Sequence, residues 1–201
     1  MTGLTSLSGV ATRTRRTNTE QKILDAAAEL FHRDGVRGVG MDRVIAESGV
    51  AKSTMYAHFP TKDDLLATYL SRTDDSWMDK LQTAARATGD EPRDQLVGLF
   101  DALEASFDRH GFFGCPFISA AVETTADSKA HAATVAHTER RQRWLTELST
   151  AAGASEPADL AGHIGLLIDG ALATGRLLQN RSVIESARTA ARHAVEGHLD
   201  R

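Results

Sequence analysis

The stretch from Met41 to Leu66, MDRVIAESGVAKSTMYAHFPTKDDLL, constrains this chain more than any other. It reads as a short helix, a tight turn at Gly49-Val50, a second short helix over 52–59, a stop at Pro60 and a new start at Thr61. Val44 and Ile45 fall on the apolar face of the first helix; Met55 and Phe59 read as core residues of the second. Two helices joined by a glycine-containing turn form a helix-turn-helix, whose second helix enters the DNA major groove. Lys52 stands at the N-terminal edge of that helix, where a cation reaches a phosphate. Ser53 and Thr54 are short enough to let the backbone approach, and they bond phosphates or base edges. In a small helical domain with no nucleic-acid partner, Tyr56 and His58 would instead be ordinary half-buried packing groups.

Charge decides where such a helix could find its partner. The chain has 201 residues and a formal net charge of −4, which excludes a generally basic protein that coats the DNA backbone. Positive charge has to be local, and it is. Arg13, Arg15 and Arg16 precede the first helix, and Arg37, Arg43, Lys52 and Lys62 flank or lie in the motif. A hydrophobic content of 41% supplies material for a real core in one large or two small domains. The single cysteine excludes an intramolecular disulfide and agrees with a reducing cytoplasm. No apolar run reaches the ~18 residues of a membrane span, and residues 1–18 lack the apolar core of a secretory signal. Residues 1–16, rich in Thr, Ser, Gly and Arg, read as a flexible basic tail.

Helical periodicity dominates the chain and predicts an all-α fold of nine helices. Thr17 and Glu20 have capping-box spacing for the first helix, whose apolar face is Ile23, Ala26, Ala27, Leu30 and Phe31, with Gly35 as its left-handed stop. Thr61 and Asp64 repeat the box for a fourth helix running to about Ala87. Pro92 opens a helix ending near His110, and Pro116 opens a short apolar one. Asp127-Ser128, Pro157, and Ser182 with Glu185 start the last three. The division is a helix-turn-helix domain over 17–66 and a helical bundle over 67–201.

The motif resembles the DNA-binding signature of the TetR family of bacterial transcriptional regulators, a pattern close to G-V-S-K-G-T-L-Y-x-H-F-x-S-K-E-x-L. Gly49-Val50-Ala51-Lys52-Ser53-Thr54-Met55-Tyr56-Ala57-His58-Phe59 carries it, with Ile23 to Phe31 and Asp34-Gly35 similar to the first helix of that family. The resemblance covers roughly residues 19–70. It implies that Tyr56 and His58 contact the DNA backbone and that Lys62 joins the N-terminus of the fourth helix on a phosphate; Arg37 is a further basic candidate. Gly40 and Ala51 depart from the pattern by removing two hydroxyls, a helix cap among them. The resemblance also implies a homodimer on double-stranded operator DNA, a small-molecule effector, no cofactor and most simply a repressor.

A second motif, Gly111-Phe112-Phe113-Gly114-Cys115-Pro116-Phe117-Ile118-Ser119, is similar to the segment that opens the cavity-bordering helix in a subset of that family. It is either a wall for a small molecule or a core loop filled by phenylalanines. Trp77, Phe100, Leu103, Phe107, Phe113, Phe117 and Trp144 are the apolar candidates for an uncharged, aromatic-friendly effector, with Cys115, Ser119 or His137 as polar contacts. Leu160, Ile164, Leu167, Ile168, Leu172 and Gly175, among small residues such as Gly162, Gly165 and Gly170, are the candidates for dimerisation. Two rivals remain: a protein-binding helix-turn-helix without DNA, and an enzyme using Cys115 as nucleophile. No metal-ligand spacing links His110, His131, His137, His163, His193 and His198.

Overall fold

The computed structural model describes residues 7–110 and 114–199, with nothing to be said of the side chains of 7–17, 109 and 110. Among the described residues all regular structure is helical: α1 (Leu7–Asp34), α2 (Met41–Ser48), α3 (Lys52–His58), α4 (Lys62–Ala87), α5 (Pro92–Gly98), α6 (Phe100–His110), α7 (Pro116–Glu123), α8 (Lys129–Ala151), α9 (Pro157–Leu178) and α10 (Ser182–Leu199). The all-α expectation holds. The helix expected from Pro92 to His110 is broken once, at Leu99, which keeps helical dihedrals (φ −57°, ψ −22°). The break has a local cause. Gly98 lies so close to the Thr88 side chain that a Cβ there would collide with it, and glycine weakens the helix at that point.

α1 begins ten residues earlier than its expected Thr17 cap. No proline or glycine stands between Val10 and Asp34, so nothing breaks the backbone hydrogen-bond series, and Thr17 is interior to the helix. Of the supposed tail, residues 1–6 and the side chains of Arg13, Arg15 and Arg16 lie outside the described residues.

The stops expected from the sequence fall where glycine is needed: Gly35 at φ +74° and Gly49 at φ +67°. The Thr61–Asp64 box is formed in both directions, each bond 3.1 Å. Ser128 caps α8 by accepting from the His131 amide. Ser182 caps nothing. It is the first helical residue of α10, and its amide donates to the Asn180 side chain.

Two apolar clusters result. The N-terminal one joins Ile23, Leu30, Val44, Met55 and Phe59 to the first turns of α4. It also takes in Cys115, Phe117 and Ala120 of α7 and Ala130 of α8, the helix on which α7 mainly packs, so elements distant in sequence share the core of the head. The second unites the C-terminal half of α4 with α5, α6, α8, α9 and α10. Leu172 of α9 touches both. The side chain of Met55 is fully buried, and truncating such a residue costs about 2–5 kcal/mol.

Candidate nucleic-acid interface and effector cavity

α3 presents its polar residues outward because Met55 and the following Phe59 hold its opposite face in the core. Ser53 and Tyr56 are exposed and Thr54 is half-buried. Lys52 is exposed and paired with Asp42 of α2 at 3.2 Å, a surface bond that a phosphate can displace at little cost. No side chain caps α3 at Ala51 or α2 at Gly40. Their first amides therefore stay open to solvent anions.

Three of the expected DNA contacts are tied inward. The side chain of His58 is only 9% exposed, with Nδ1 3.9 Å from Glu20 of α1. Lys62 Nζ donates to the Val36 carbonyl in the α1–α2 turn, and its partial burial pulls the ammonium below its ordinary pKa. Arg37 donates its main-chain N–H to the Glu123 carboxylate, and its Nε lies 3.4 Å from the Glu123 carbonyl. In the free chain Lys62 and Arg37 both take part in a seam between head and body.

That seam has two more members. Asp63 accepts from the first amides of α8, Lys129 N at 2.8 Å and Ala130 N at 3.0 Å, a favourable place for a carboxylate. Asp64 accepts from the Lys129 ammonium, which with the Thr61 hydroxyl holds its carboxyl below the usual range. Sequence reasoning missed Glu123, Asp63 and Lys129. Nothing in their local spacing marks them, because each acts across about 65 residues or more.

An apolar cavity of about 670 Å³ lies beside this seam. Trp77, Leu103, Phe107, Cys115, Phe117 and Leu172 line it, as do Leu24, Ala28 and Tyr69. Its mouth carries Asp25, Glu29, Arg33, Arg72 and Lys80. The Tyr69 hydroxyl lies 3.0 Å from His32 Nε2, and burial pushes the phenol up to about 12, so it stays neutral. Much of one wall is therefore α1, part of the head itself. The sequence showed the amphipathic α1 but not which element would meet its second face.

Five of the ten expected effector contacts line this cavity. Phe100 is fully buried in the second cluster and Trp144 packs against it; neither lines the cavity. Ser119 lies one turn further along α7 and does not line it either. His137 stands behind Phe117. Phe113 lies outside the described residues. Burial also pushes the Cys115 thiol up, the reverse of a reactive cysteine.

Four of the six residues expected at the dimer contact are buried within the single chain, and Leu167 and Leu172 are half-buried. Leu160, Ile164 and Ile168 are 0% exposed in the single chain, and Gly175 is buried as well. They form the intrachain core because α9 sits between α8 and α10. The opposite face of α9 carries Leu166 at 71% exposure and Leu177 at 80%, with exposed Gly170 and Ala173 between them.

The family of bacterial regulatory proteins described as tetR matches residues 23–69. Among curated proteins, the HTH-type transcriptional activator FasR of Mycolicibacterium smegmatis is 36% identical over 87 residues, 43% of this chain and 38% of its own length. The HTH-type transcriptional regulator LmrA of Bacillus subtilis is 42% identical over 50 residues, 25% of this chain and 27% of its own. The chain thus spans well under two thirds of either relative. Solved structures match more fully. A TetR-family transcriptional regulator from Streptomyces coelicolor superposes with a TM-score of 0.83 at 28% identity, over 91% of this chain and 97% of that one. The regulatory protein TetR from Rhodobacter sphaeroides does so with 0.77 at 25% identity, over 87% and 98%. No helix of the described residues is long and apolar enough to cross a membrane.

Proposed function

We propose that this chain, which belongs to the TetR family of bacterial regulatory proteins, is a cytoplasmic, homodimeric, effector-responsive repressor of transcription. Each subunit lays α3 in the major groove of one half of a near-palindromic operator. Ser53, Thr54 and Tyr56 meet the DNA, and Lys52 exchanges Asp42 for a phosphate. The dimer forms through the Leu166–Leu177 face of α9 together with α10.

The observation that carries the proposal is the double role of α7. Its first turn, Cys115 to Phe117, walls the cavity, and its last residue, Glu123, holds the α1–α2 turn through Arg37. α7 is a rigid lever of two turns. An effector that displaces Phe117 also displaces Glu123, and with it the turn that sets the angle of α2 and α3. An effector favouring the displaced arrangement lowers operator affinity, and operator lowers effector affinity by the same factor.

The test is fluorescence anisotropy of the purified protein with the DNA upstream of its own gene, in a salt series. Tight, sequence-specific binding whose logarithm falls linearly with log salt is the expected outcome. Binding that ignores both sequence and salt would leave the helix-turn-helix without this role.

A further inference from the structure

His137 lies on α8 directly behind the cavity wall. Its side chain is 2% exposed, and its ring stacks on Phe117 with centroids 3.7 Å apart and planes 7° apart. Nδ1 is 2.6 Å from Asp74 Oδ1. The other oxygen of the Asp74 carboxylate accepts from Arg140 at 2.7 Å. An ionised carboxylate only accepts, so Nδ1 carries the proton and donates. Burial opposes a second proton on the ring and, with Arg141, outweighs the pull of Asp74 and Asp169. Nε2 is therefore a bare lone pair, buried and with no hydrogen-bond partner among the described residues. A buried acceptor left without a donor is costly, and native proteins seldom keep one without a use.

We propose that His137 Nε2 is the specificity-determining acceptor of the effector site, reached past the Phe117 ring, and that the effector is an aromatic molecule bearing a hydroxyl donor. This rests on the cavity being the effector site. Phe117 is the partition between the two: it faces the cavity on one side and covers the imidazole on the other. A flat aromatic ligand that displaces Phe117 and meets the imidazole edge-on, in the ring plane, brings its hydroxyl onto the Nε2 lone pair and supplies the hydrogen bond that Nε2 lacks. Displacing Phe117 also moves the first turn of α7, so recognition of the hydroxyl and movement of the lever are one event. Trp77, Leu103 and Phe107 supply the apolar remainder of the site.

The probes are 2-naphthol and its methyl ether, equal in shape apart from one methyl and opposite in donor capacity. Their binding to the full-length protein is followed by tryptophan fluorescence and calorimetry. The naphthol should bind about tenfold more tightly than the ether, the worth of one buried hydrogen bond. His137→Phe, which keeps the aromatic stack, should bring that ratio to about one while still binding both. Should the variant fold poorly, ¹⁵N-histidine resonances of the wild type give the same answer. Nε2 should appear as an unprotonated, unbonded nitrogen in the free protein and shift on adding naphthol but not the ether. Equal binding of the two probes, or an Nε2 already protonated or bonded to a trapped water, overturns the assignment and leaves the cavity standing. Binding of neither probe overturns the cavity as effector site, and this inference with it.

Discussion

The helix-turn-helix head and the proposed effector cavity solve opposite problems with the same helices. In the head, two short helices are locked by Val44, Met55 and Phe59 beneath them, so that Ser53, Tyr56 and Lys52 stand in water. Its working groups are near neighbours in sequence and need only local geometry. The cavity turns its working groups inward and draws them from α1, α4, α6, α7 and α9. No two adjacent elements could build it. A surface meant for a charged polymer is made by turning polar side chains away from a small core. A surface meant for a small apolar molecule is made by leaving a gap between large elements. The seam of Arg37, Lys62, Asp63, Glu123 and Lys129 joins the two, and it uses charges because charges reach across water-accessible joints.

The strongest way to separate head from cavity is to divide the dimer. The cavity residues named above all come from one chain, whereas the proposed operator is read by two heads. Leu166→Glu should place an unpaired charge in the α9 contact at a cost of about 3 kcal/mol or more. Sedimentation should then report monomer and operator binding should collapse, while 2-naphthol still quenches the tryptophans. A Leu166→Glu protein that remains a dimer moves the interface elsewhere. Gly175→Glu is a poorer tool, since Gly175 is buried within the chain and the change would damage the fold.

Two lysines then test where the head ends. Lys52→Ala should leave the melting temperature alone and flatten the log K versus log salt slope by about 1. Lys62→Ala removes the bond to the Val36 carbonyl and should destabilise the protein by about 1 kcal/mol, visible in thermal unfolding without DNA. Equal behaviour of the two variants would erase the distinction between interface and seam.

Glu123→Ala addresses the lever. It should cost about 1 kcal/mol or less in stability. Amide exchange in the α1–α2 turn should quicken, and operator affinity should become less sensitive to naphthol. Unchanged sensitivity would mean that α7 does not carry the signal.

The smallest effect belongs to Cys115. A buried thiol with a raised pKa should react with a disulfide reagent only after unfolding, and Cys115→Ser should leave operator binding within a factor of about two. Fast labelling of the native protein would revive the nucleophile alternative.

The sequence by itself determined the all-helical fold, several of the helix boundaries and the head. Gly35, Gly49, Pro60 and the Thr61–Asp64 pair mark boundaries through local backbone chemistry, and that chemistry acts within one turn whatever surrounds it. For the same reason it showed Met55 and Phe59 buried and Ser53 and Tyr56 outward. Only tertiary structure decided how amphipathic faces pair. Leu160, Ile164 and Ile168 form an apolar stripe that suits a partner subunit and an intrachain neighbour equally well, and packing against α8 and α10 chose the second. Phe100 and Phe107 share one helix, yet one fills the core and the other lines the gap, because helix crossings set where space is left. The seam was out of reach for the same reason. Glu123 meets Arg37 only after the intervening helices have folded back, and periodicity describes a helix without saying what it will touch.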